Sequence, residues 1–166
     1  MSMRIRRPEP AQAWRQAEWI VAMEPWRSLG YQHTRLARYL RRMARARQVL
    51  VAQERGHVLG IVVQQPDFLL GRFIALLAVR PEAAGRGMGR ALVERVEKET
   101  FQARRWLYVS SDSTNQAAAR FYKKLGFTRV ARLPGLIADE RIEILWRKQR
   151  PAPRTPNGGY WADRPG

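Results

Sequence analysis

Hydrophobic and polar positions along the chain follow two different periods, and the changes between them predict the order of elements. Apolar residues every three to four positions predict helices over residues 10–23, 34–47, 87–103 and 115–125. Short β-rich runs predict strands over residues 3–7, 49–53, 58–64, 73–79, 106–109, 128–133 and 141–146. The order is β-α-α-β-β-β-α-β-α-β-β. Because helices interleave with strands, we predict an α/β fold with helices on both faces of a mixed sheet.

Turn-forming and capping residues set the limits of these elements. Pro25 and Gly30 separate the first two helices, and Thr34 is the predicted N-cap of the second. We expect a hairpin turn at residues 54–57 and a loop at residues 66–71. Residues 151–166 are rich in Pro and Gly, so we expect one domain over residues 1–150 followed by an irregular tail.

Composition removes several classes of function. The 166 residues suffice for one domain with a full core, and the absence of cysteine excludes disulfides, thiolate nucleophiles and Cys-based zinc sites. His33 and His57 have no carboxylate cluster at metal-ligand spacing, so we expect no metal. The longest apolar run, Phe73 to Val79, is too short to span a bilayer, and no apolar segment follows the charged residues 1–7. We therefore expect a soluble cytoplasmic protein without a membrane partner.

The formal net charge is +17, and 27 of the 31 basic residues are arginine. Such a charge attracts nucleic acid, acidic protein, anionic membrane or a phosphorylated cofactor without choosing among them. The second predicted helix has an apolar stripe, and its arginines fall largely on the opposite face. This face is either solvated or a contact for nucleic acid, and a charge stripe alone favours solvation. The stripe consists of Leu36, Tyr39, Leu40 and Met43, and the opposite face carries Arg35, Arg38, Arg42 and Arg45.

A glycine-rich loop, residues 84–89, joins a buried strand to a helix and is the most informative segment of the chain. Gly85, Gly87 and Gly89 alternate with other residues, so the backbone can approach a bulky anion. The helix that follows offers unpaired N–H groups and the positive end of its dipole, which predicts a pyrophosphate site. The Walker Gly-Lys-Ser/Thr sequence is absent, and Arg90 stands where the dinucleotide fingerprint needs a third glycine.

A second motif lies one strand downstream, at residues 115–127. Together the two motifs resemble those of the GNAT superfamily of N-acetyltransferases, over roughly residues 3–148. The family's coenzyme motif, Gln/Arg-x-x-Gly-x-Gly/Ala, aligns with residues 84–89, with Ala84 replacing the usual Gln or Arg. Its second motif, Asn-x-x-Ala-x-x-x-Tyr-x-x-x-Gly-Phe, is filled by Asn115, Ala118, Tyr122, Gly126 and Phe127.

The resemblance implies a mostly antiparallel central sheet whose central strands splay apart around acetyl-CoA. The backbone of Leu77–Val79 would pair with the pantetheine, and an N–H near Leu77 or Ala78 would polarise the thioester carbonyl. Because N–H groups form the pyrophosphate site, binding should survive the change at Ala84, with Arg86 and Arg90 supplying charge. The implied coenzyme-binding residues are Leu77, Ala78, Val79, Ala84, Gly85, Arg86, Gly87, Met88, Gly89, Arg90, Asn115 and Tyr122.

The resemblance also implies direct attack of an amine on the thioester within a ternary complex. Tyr122 matches the family's general acid, which protonates the leaving thiolate. The base that deprotonates the amine is open: Glu24 is the tentative choice, Asp112 and Glu143 are alternatives, and a chain of waters could replace a side chain. Asn115 either positions the coenzyme or caps the helix that follows it.

The acceptor and two alternative functions remain open at this stage. Protein N-termini, lysines and small-molecule amines are all used as acceptors within the superfamily. A nucleic-acid-binding protein on the same fold would account for the charge and for Ala84. A protein that senses acetyl-CoA without turnover would account for the missing base. The sequence leaves both a monomer and a homodimer possible.

Overall fold

The computed structural model describes residues 2–152 of the chain. Its strands are β1 (Arg4–Arg6), β2 (Val49–Glu54), β3 (His57–Phe68), β4 (Gly71–Val79), β5 (Trp106–Asp112), β6 (Thr128–Pro134) and β7 (Ile142–Gln149). Its helices are α1 (Pro10–Trp14), α2 (Ala17–Val21), α3 (His33–Arg45), α4 (Met88–Phe101) and α5 (Gln116–Lys124), and a single 3₁₀ turn spans Pro81–Ala83.

All seven strands belong to one sheet in the order β1-β2-β3-β4-β5-β7-β6. Neighbouring strands run antiparallel except for β4 and β5, which are parallel. These two strands pair only from Gly71 opposite Trp106 to Ile74 opposite Val109, and then they separate. The expected mixed, mostly antiparallel sheet with splayed central strands is therefore confirmed.

Two hydrophobic clusters lie on opposite faces of the sheet. On one face, α1–α3 cover a cluster that includes Ile20, Leu40 and Ile61. On the other face, α4 and α5 cover a cluster that includes Leu92 and Tyr122. Side chains of a strand alternate between its faces, so β4 contributes to both clusters. This arrangement confirms helices on both faces and places the separated ends of β4 and β5 between two packed layers.

The helix predicted over residues 10–23 is wrong as a single element, because the structure divides it into α1 and α2. At the break, the N–H of Gln16 donates to the carbonyl of Ala13 at 3.1 Å, one residue short of the α-helical partner. The Gln16 side chain donates instead to the Gln12 carbonyl at 2.8 Å and accepts from Trp19 Nε1 at 2.8 Å. A glutamine side chain thus replaces a backbone hydrogen bond, which the apolar period does not reveal.

Two further boundaries differ from the prediction. Gln32, not Thr34, is the N-cap of α3, and it caps without a side-chain hydrogen bond. The predicted loop at residues 66–71 is mostly strand, and β3 and β4 are joined by Leu69 and Leu70 at φ 43° and 62°. Leucine rarely adopts positive φ. Here the Tyr108 hydroxyl donates to the Leu69 carbonyl at 3.1 Å, and the Phe68 ring packs edge-on against Tyr108, so tertiary contacts hold the turn.

Candidate active site

The glycine-rich loop forms a ring of backbone N–H groups at the end of β4. Gly85 and Gly87 have φ of 74° and 81°, and Gly87 is the N-cap of α4. The first turn of α4, Met88 to Arg90, has no intrahelical acceptors for its N–H groups, as at every helix start. A Cβ added at Gly85 or Gly87 would meet no atom within 4 Å, so the space above both residues is open. This geometry fits the diphosphate of a nucleotide coenzyme.

The other loop residues contribute less than the motif suggests. The N–H groups of Ala84 and Arg86 donate within the loop, to Pro81 at 3.1 Å and to Ala83 at 3.4 Å. The side chains of Arg86 and Arg90 are ion-paired with Glu54 and Glu94. The N–H groups of the first turn of α4 are therefore available to a ligand, whereas the two arginines that could compensate for Ala84 are already paired with carboxylates.

The edge of β4 facing the gap carries unpaired backbone groups. The N–H of Arg80 donates to the Leu59 carbonyl of β3 at 2.8 Å. Successive residues of a strand direct their N–H and C=O groups to opposite edges, so Ala78 also faces β3 whereas Leu77 and Val79 face the gap. In the described part of the chain, no strand pairs with this edge of β4 beyond Ile74. Leu77 and Val79 can therefore hydrogen-bond an extended ligand such as a pantetheine arm.

Tyr122 lies on α5, packs in the hydrophobic cluster that α4 and α5 cover, and is 6% exposed. Its ring packs edge-on against Phe121 and Phe127 at centroid distances of 5.1 and 5.6 Å. Burial raises the pKa of the Tyr122 phenol far above its ordinary value, and the charge of Glu143 raises it further. The phenol therefore keeps its proton at neutral pH.

Glu143 is a buried carboxylate on β7, with 9% of its surface exposed. Its neighbour Ile144 faces the α4–α5 cluster, so Glu143 faces the other side of the sheet, and it lies directly opposite Asp112 of β5. Burial raises the pKa of Glu143, the Asp112 charge raises it further, and the Ser110 hydroxyl and Arg141 counteract this. Tyr122 belongs to the α4–α5 cluster, so the two side chains lie on opposite faces of the sheet, and Glu143 acts on Tyr122 through its charge. Ionisable groups with shifted pKa values are candidates for acid–base chemistry.

Glu24 and Asp112 are in different environments. The Ser28 side chain and Arg27 lower the pKa of Glu24, whose carboxylate accepts from Arg27 Nε at 2.8 Å on the surface. The Thr114 side chain is the largest cause that lowers the pKa of Asp112, whose carboxylate accepts from the N–H and hydroxyl of Thr114 at 2.8 and 2.6 Å. Both groups serve local structure, and their pKa values move away from that of a base at neutral pH.

The sequence predicts Glu143 as an alternative base, but it does not favour Glu143 over Glu24 or Asp112. Ser110 and Asp112 have the period of two that places them on one face of β5. This period of two could have indicated a polar cluster on that face. The pairing of β5 with β7, which places Glu143 on the same face, cannot be read from it. Of the two roles expected for Asn115, the structure shows helix capping: its side chain accepts from the Ala118 N–H at 3.0 Å at the start of α5.

The described residues contain neither a candidate metal site nor a candidate membrane-spanning helix. Within residues 2–152 no group of three or more His, Asp and Glu side chains could hold a metal ion. No helix in the same range is long and apolar enough to cross a membrane.

Comparison with known proteins agrees with this geometry. Residues 45–129 match the family model for the acetyltransferase (GNAT) domain. The uncharacterized N-acetyltransferase MJ1530 of Methanocaldococcus jannaschii is 32% identical over 108 residues, covering 64% of this chain and 69% of that protein. The peptidyl-lysine N-acetyltransferase YiaC of Escherichia coli is 36% identical over 77 residues, covering 46% of this chain and 47% of YiaC.

A solved structure extends the likeness to the whole fold. The structure of yncA from Salmonella typhimurium with its cofactor acetyl-CoA has a TM-score of 0.71 and 21% identity, covering 96% of this chain and 100% of that chain. The chain belongs to the GNAT family of acetyltransferases. It is an acetyl-CoA-dependent N-acetyltransferase that acts on amine acceptors, with acetyl-CoA as its co-substrate.

Proposed function

We propose that the chain transfers the acetyl group by direct attack of a peptide amine on acetyl-CoA in a ternary complex, with Glu143 as base and Tyr122 as acid. The observation that carries this proposal is the gap between β4 and β5. It opens beyond Ile74 and Val109, with the glycine-rich loop at its end and the pair Glu143–Tyr122 beside it. Acetyl-CoA supplies the activated acetyl group as a thioester.

The coenzyme is held mainly by backbone groups in this proposal. Gly85, Gly87 and the first turn of α4 bind the diphosphate, and Leu77 and Val79 bind the pantetheine. The N–H of Leu77 faces the gap, whereas that of Ala78 faces β3, so Leu77 is the better donor to the thioester carbonyl. Backbone donors fixed in this way stabilise negative charge on that oxygen without reorganisation.

Glu143 takes the proton that the ammonium group of the acceptor must lose before attack. Its raised pKa brings its basicity closer to neutral pH, where a general base is most effective. Tyr122 gives a proton to the departing thiolate, and its raised pKa keeps that proton on the phenol until it is needed. Glu143 replaces Glu24 as the proposed base, because Glu24 is exposed and ion-paired.

A peptide or protein amine is the proposed acceptor. The loop joining β6 and β7 ends at residue 141, and Glu143 is the second residue of β7. Leu136 and Ile137 of this loop are 55% and 45% exposed. Exposed apolar side chains beside a buried carboxylate suit an extended peptide that carries a lysine or a terminal amine. The likeness to a peptidyl-lysine N-acetyltransferase supports the same class of acceptor. We assign this activity to a domain over residues 1–150. Of the tail predicted over residues 151–166, residues 153–166 lie outside the described residues.

The test of the proposed base is a pair of Glu→Gln variants. Glu143→Gln should lower kcat/KM by about a hundredfold or more, because general base catalysis contributes about 10²–10⁴-fold. The rising limb of the wild-type pH–rate profile, set by the raised pKa of Glu143, should disappear. Glu24→Gln is the matched control and should retain the wild-type rate. Loss of activity in Glu24→Gln with full activity in Glu143→Gln would return the role to Glu24.

The stability of Glu143→Gln separates a chemical role from a structural one. A carboxyl whose pKa is raised by folding holds its proton in the native state at pH values where the unfolded chain has lost it. Stability therefore falls as pH rises from the ordinary pKa of Glu to the raised one. The Gln variant has no such loss, so thermal unfolding should show it equal to or more stable than the wild type at pH 7. A variant less stable at pH 7 would indicate that Glu143 holds the fold together.

A further inference from the structure

Five arginines on α3 form a continuous positive stripe. At 100° per residue they lie within an arc of about 120°, and from Arg35 to Arg45 the stripe is about 15 Å long. All five are exposed, while Leu36 and Leu40 on the opposite side are buried against the sheet. The arginine stripe consists of Arg35, Arg38, Arg41, Arg42 and Arg45.

The arginine stripe has no carboxylate partner in the described structure. The helix contains neither Asp nor Glu, and the ion pairs found within residues 2–152 include none of the five. Elsewhere the described arginines are often neutralised: Arg86 and Arg104, for example, pair with Glu54 and Asp67. The arginine stripe thus holds five positive charges without a carboxylate partner on one face of one helix.

The sequence of α3 is unfavourable for an isolated helix. Arg38 lies three or four residues from Arg35, Arg41 and Arg42, and like charges at these spacings repel. Arg35 also lies in the first helical turn, where the positive end of the helix dipole disfavours a cation. An anion bound along the stripe would relieve both effects.

The positive surface continues past the end of the helix. Arg47 follows α3 at φ 59° and lines a cleft of about 620 Å³ between β4 and the last turns of α4. Arg72 and Lys98 line the same cleft, and Glu99 in it is already paired with Arg7 and Arg95. Arg45, the last arginine of the stripe, precedes Arg47 by two residues, and the cleft lies at the opposite end of β4 from the glycine-rich loop.

The chemistry of the arginine stripe selects the class of partner. Protein–protein interfaces bind through apolar and aromatic anchors at their centre, and the exposed face of α3 presents charged and polar side chains instead. A nucleic acid needs only its phosphates neutralised, and exposed guanidinium groups do this without an apolar contact. We propose that the arginine stripe of α3 binds the phosphate backbone of a nucleic acid, independently of base sequence, as a second function beside acetyl transfer.

The experiment measures binding of a labelled 20-nucleotide single-stranded RNA by fluorescence anisotropy, across a series of KCl concentrations. Saturating acetyl-CoA keeps the glycine-rich loop filled, so the RNA cannot report on that site. One variant changes Arg35, Arg38, Arg42 and Arg45 to Gln. The matched control changes Arg4, Lys124, Arg129 and Arg132, all exposed, to Gln. Each variant lowers the net charge from +17 to +13, since four charges are removed.

The stripe variant should bind at least about tenfold more weakly at moderate salt, whereas the control should stay within about twofold of the wild type. The slope of log K against log salt should become less steep by about 3 in the stripe variant only, because each phosphate contact in a single strand contributes about 0.7. Restoring the four positions as Lys should restore the slope. Equal losses in both four-charge variants would overturn the proposal, and so would tighter binding of polyglutamate than of RNA by the wild type.

A second measurement uses the unmodified protein and does not depend on any variant folding. Phenylglyoxal labels accessible arginines, and mass spectrometry then locates the label. RNA should protect Arg35, Arg38 and Arg42 from labelling, and Arg129 and Arg132 should be labelled equally with and without RNA. Protection of Arg129 and Arg132 with none on α3 would overturn the assignment.

Discussion

At the scale of single residues, the site depends on how burial changes two ordinary side chains. Aromatic rings enclose Tyr122, and Glu143 is buried on β7, where its charge further raises the pKa of the Tyr122 phenol. Removing either group from water disfavours its charged form. The phenol therefore keeps its proton, and the carboxylate gains affinity for one.

Tyr122→Phe tests the proton donor with almost no change in packing. The rings around position 122 would still be filled, so acetyl-CoA should bind as tightly as to the wild type while kcat falls by about a hundredfold. Tyr108→Phe is the matched control: its ring is 5% exposed and its hydroxyl donates to the Leu69 carbonyl. That control should lose about 1 kcal/mol of stability and keep its kcat. Equal kcat values in the two variants would remove Tyr122 from the chemistry.

Residue roles could be predicted from the sequence only where a motif fixed them. The motif spacing singled out Tyr122 and Asn115, because both stand at defined positions of one helix. The ranking of Glu24, Asp112 and Glu143 depends on burial and on partners such as Thr114 and Arg27, which lie in the fold and not in the local pattern. Short-range periodicity carries no information on such desolvation.

At the scale of elements, the gap between β4 and β5 depends on how briefly the two strands pair. Their first paired residues, Gly71 and Trp106, are in close backbone contact: a Cβ added at Gly71 would lie 2.2 Å from the Trp106 carbonyl oxygen. Glycine at this position lets β5 approach β4 before the strands diverge. The contact thus anchors one end of the gap.

Gly71→Ala should disturb this anchor. Because the contact is with backbone, which cannot move aside cheaply, we expect a loss of about 1–3 kcal/mol in the free energy of unfolding, measured in urea. Gly60→Ala on β3 is the control, since the nearest atom to its Cβ would be the end of the Leu92 side chain at 3.1 Å, and the Ala78 carbonyl oxygen would lie at an ordinary contact distance of 3.6 Å. A loss in Gly60→Ala as large as that in Gly71→Ala would mean that the β4–β5 contact has no special role.

Strands and helices of this chain were largely predictable because their apolar periods are regular. The exceptions depend on particular side-chain hydrogen bonds, which an apolar period cannot show. The Gln16 side chain divides α1 from α2, and the Tyr108 hydroxyl supports a turn of two leucines at positive φ. The first is a local bond between a side chain and the backbone four residues earlier, and the second is a tertiary bond between distant segments; an apolar period predicts neither.

At the scale of the whole molecule, positive charge is distributed over two ends with different chemistry. Beside the glycine-rich loop, Arg86 and Arg90 are paired with carboxylates, so backbone N–H groups and the α4 dipole dominate. On α3 the arginines have no carboxylate partner in the described structure and are exposed. The fold therefore separates a site for a nucleotide coenzyme from a surface for a phosphate polymer.

The coenzyme site is tested most directly by calorimetric titration of acetyl-CoA into the wild type, Gly87→Glu and Gly30→Glu. Gly87 and Gly30 both have positive φ, at 81° and 67°, and open space around them, so the two variants share the same strain and the same added charge. Only position 87 lies in the glycine-rich loop, where like charges about 4 Å apart repel by about 4 kcal/mol.

Binding to the wild type and to Gly30→Glu should be micromolar, and binding to Gly87→Glu should be at least about a hundredfold weaker. Equal affinity of Gly87→Glu and the wild type for acetyl-CoA would contradict the assignment of the coenzyme to the gap between β4 and β5.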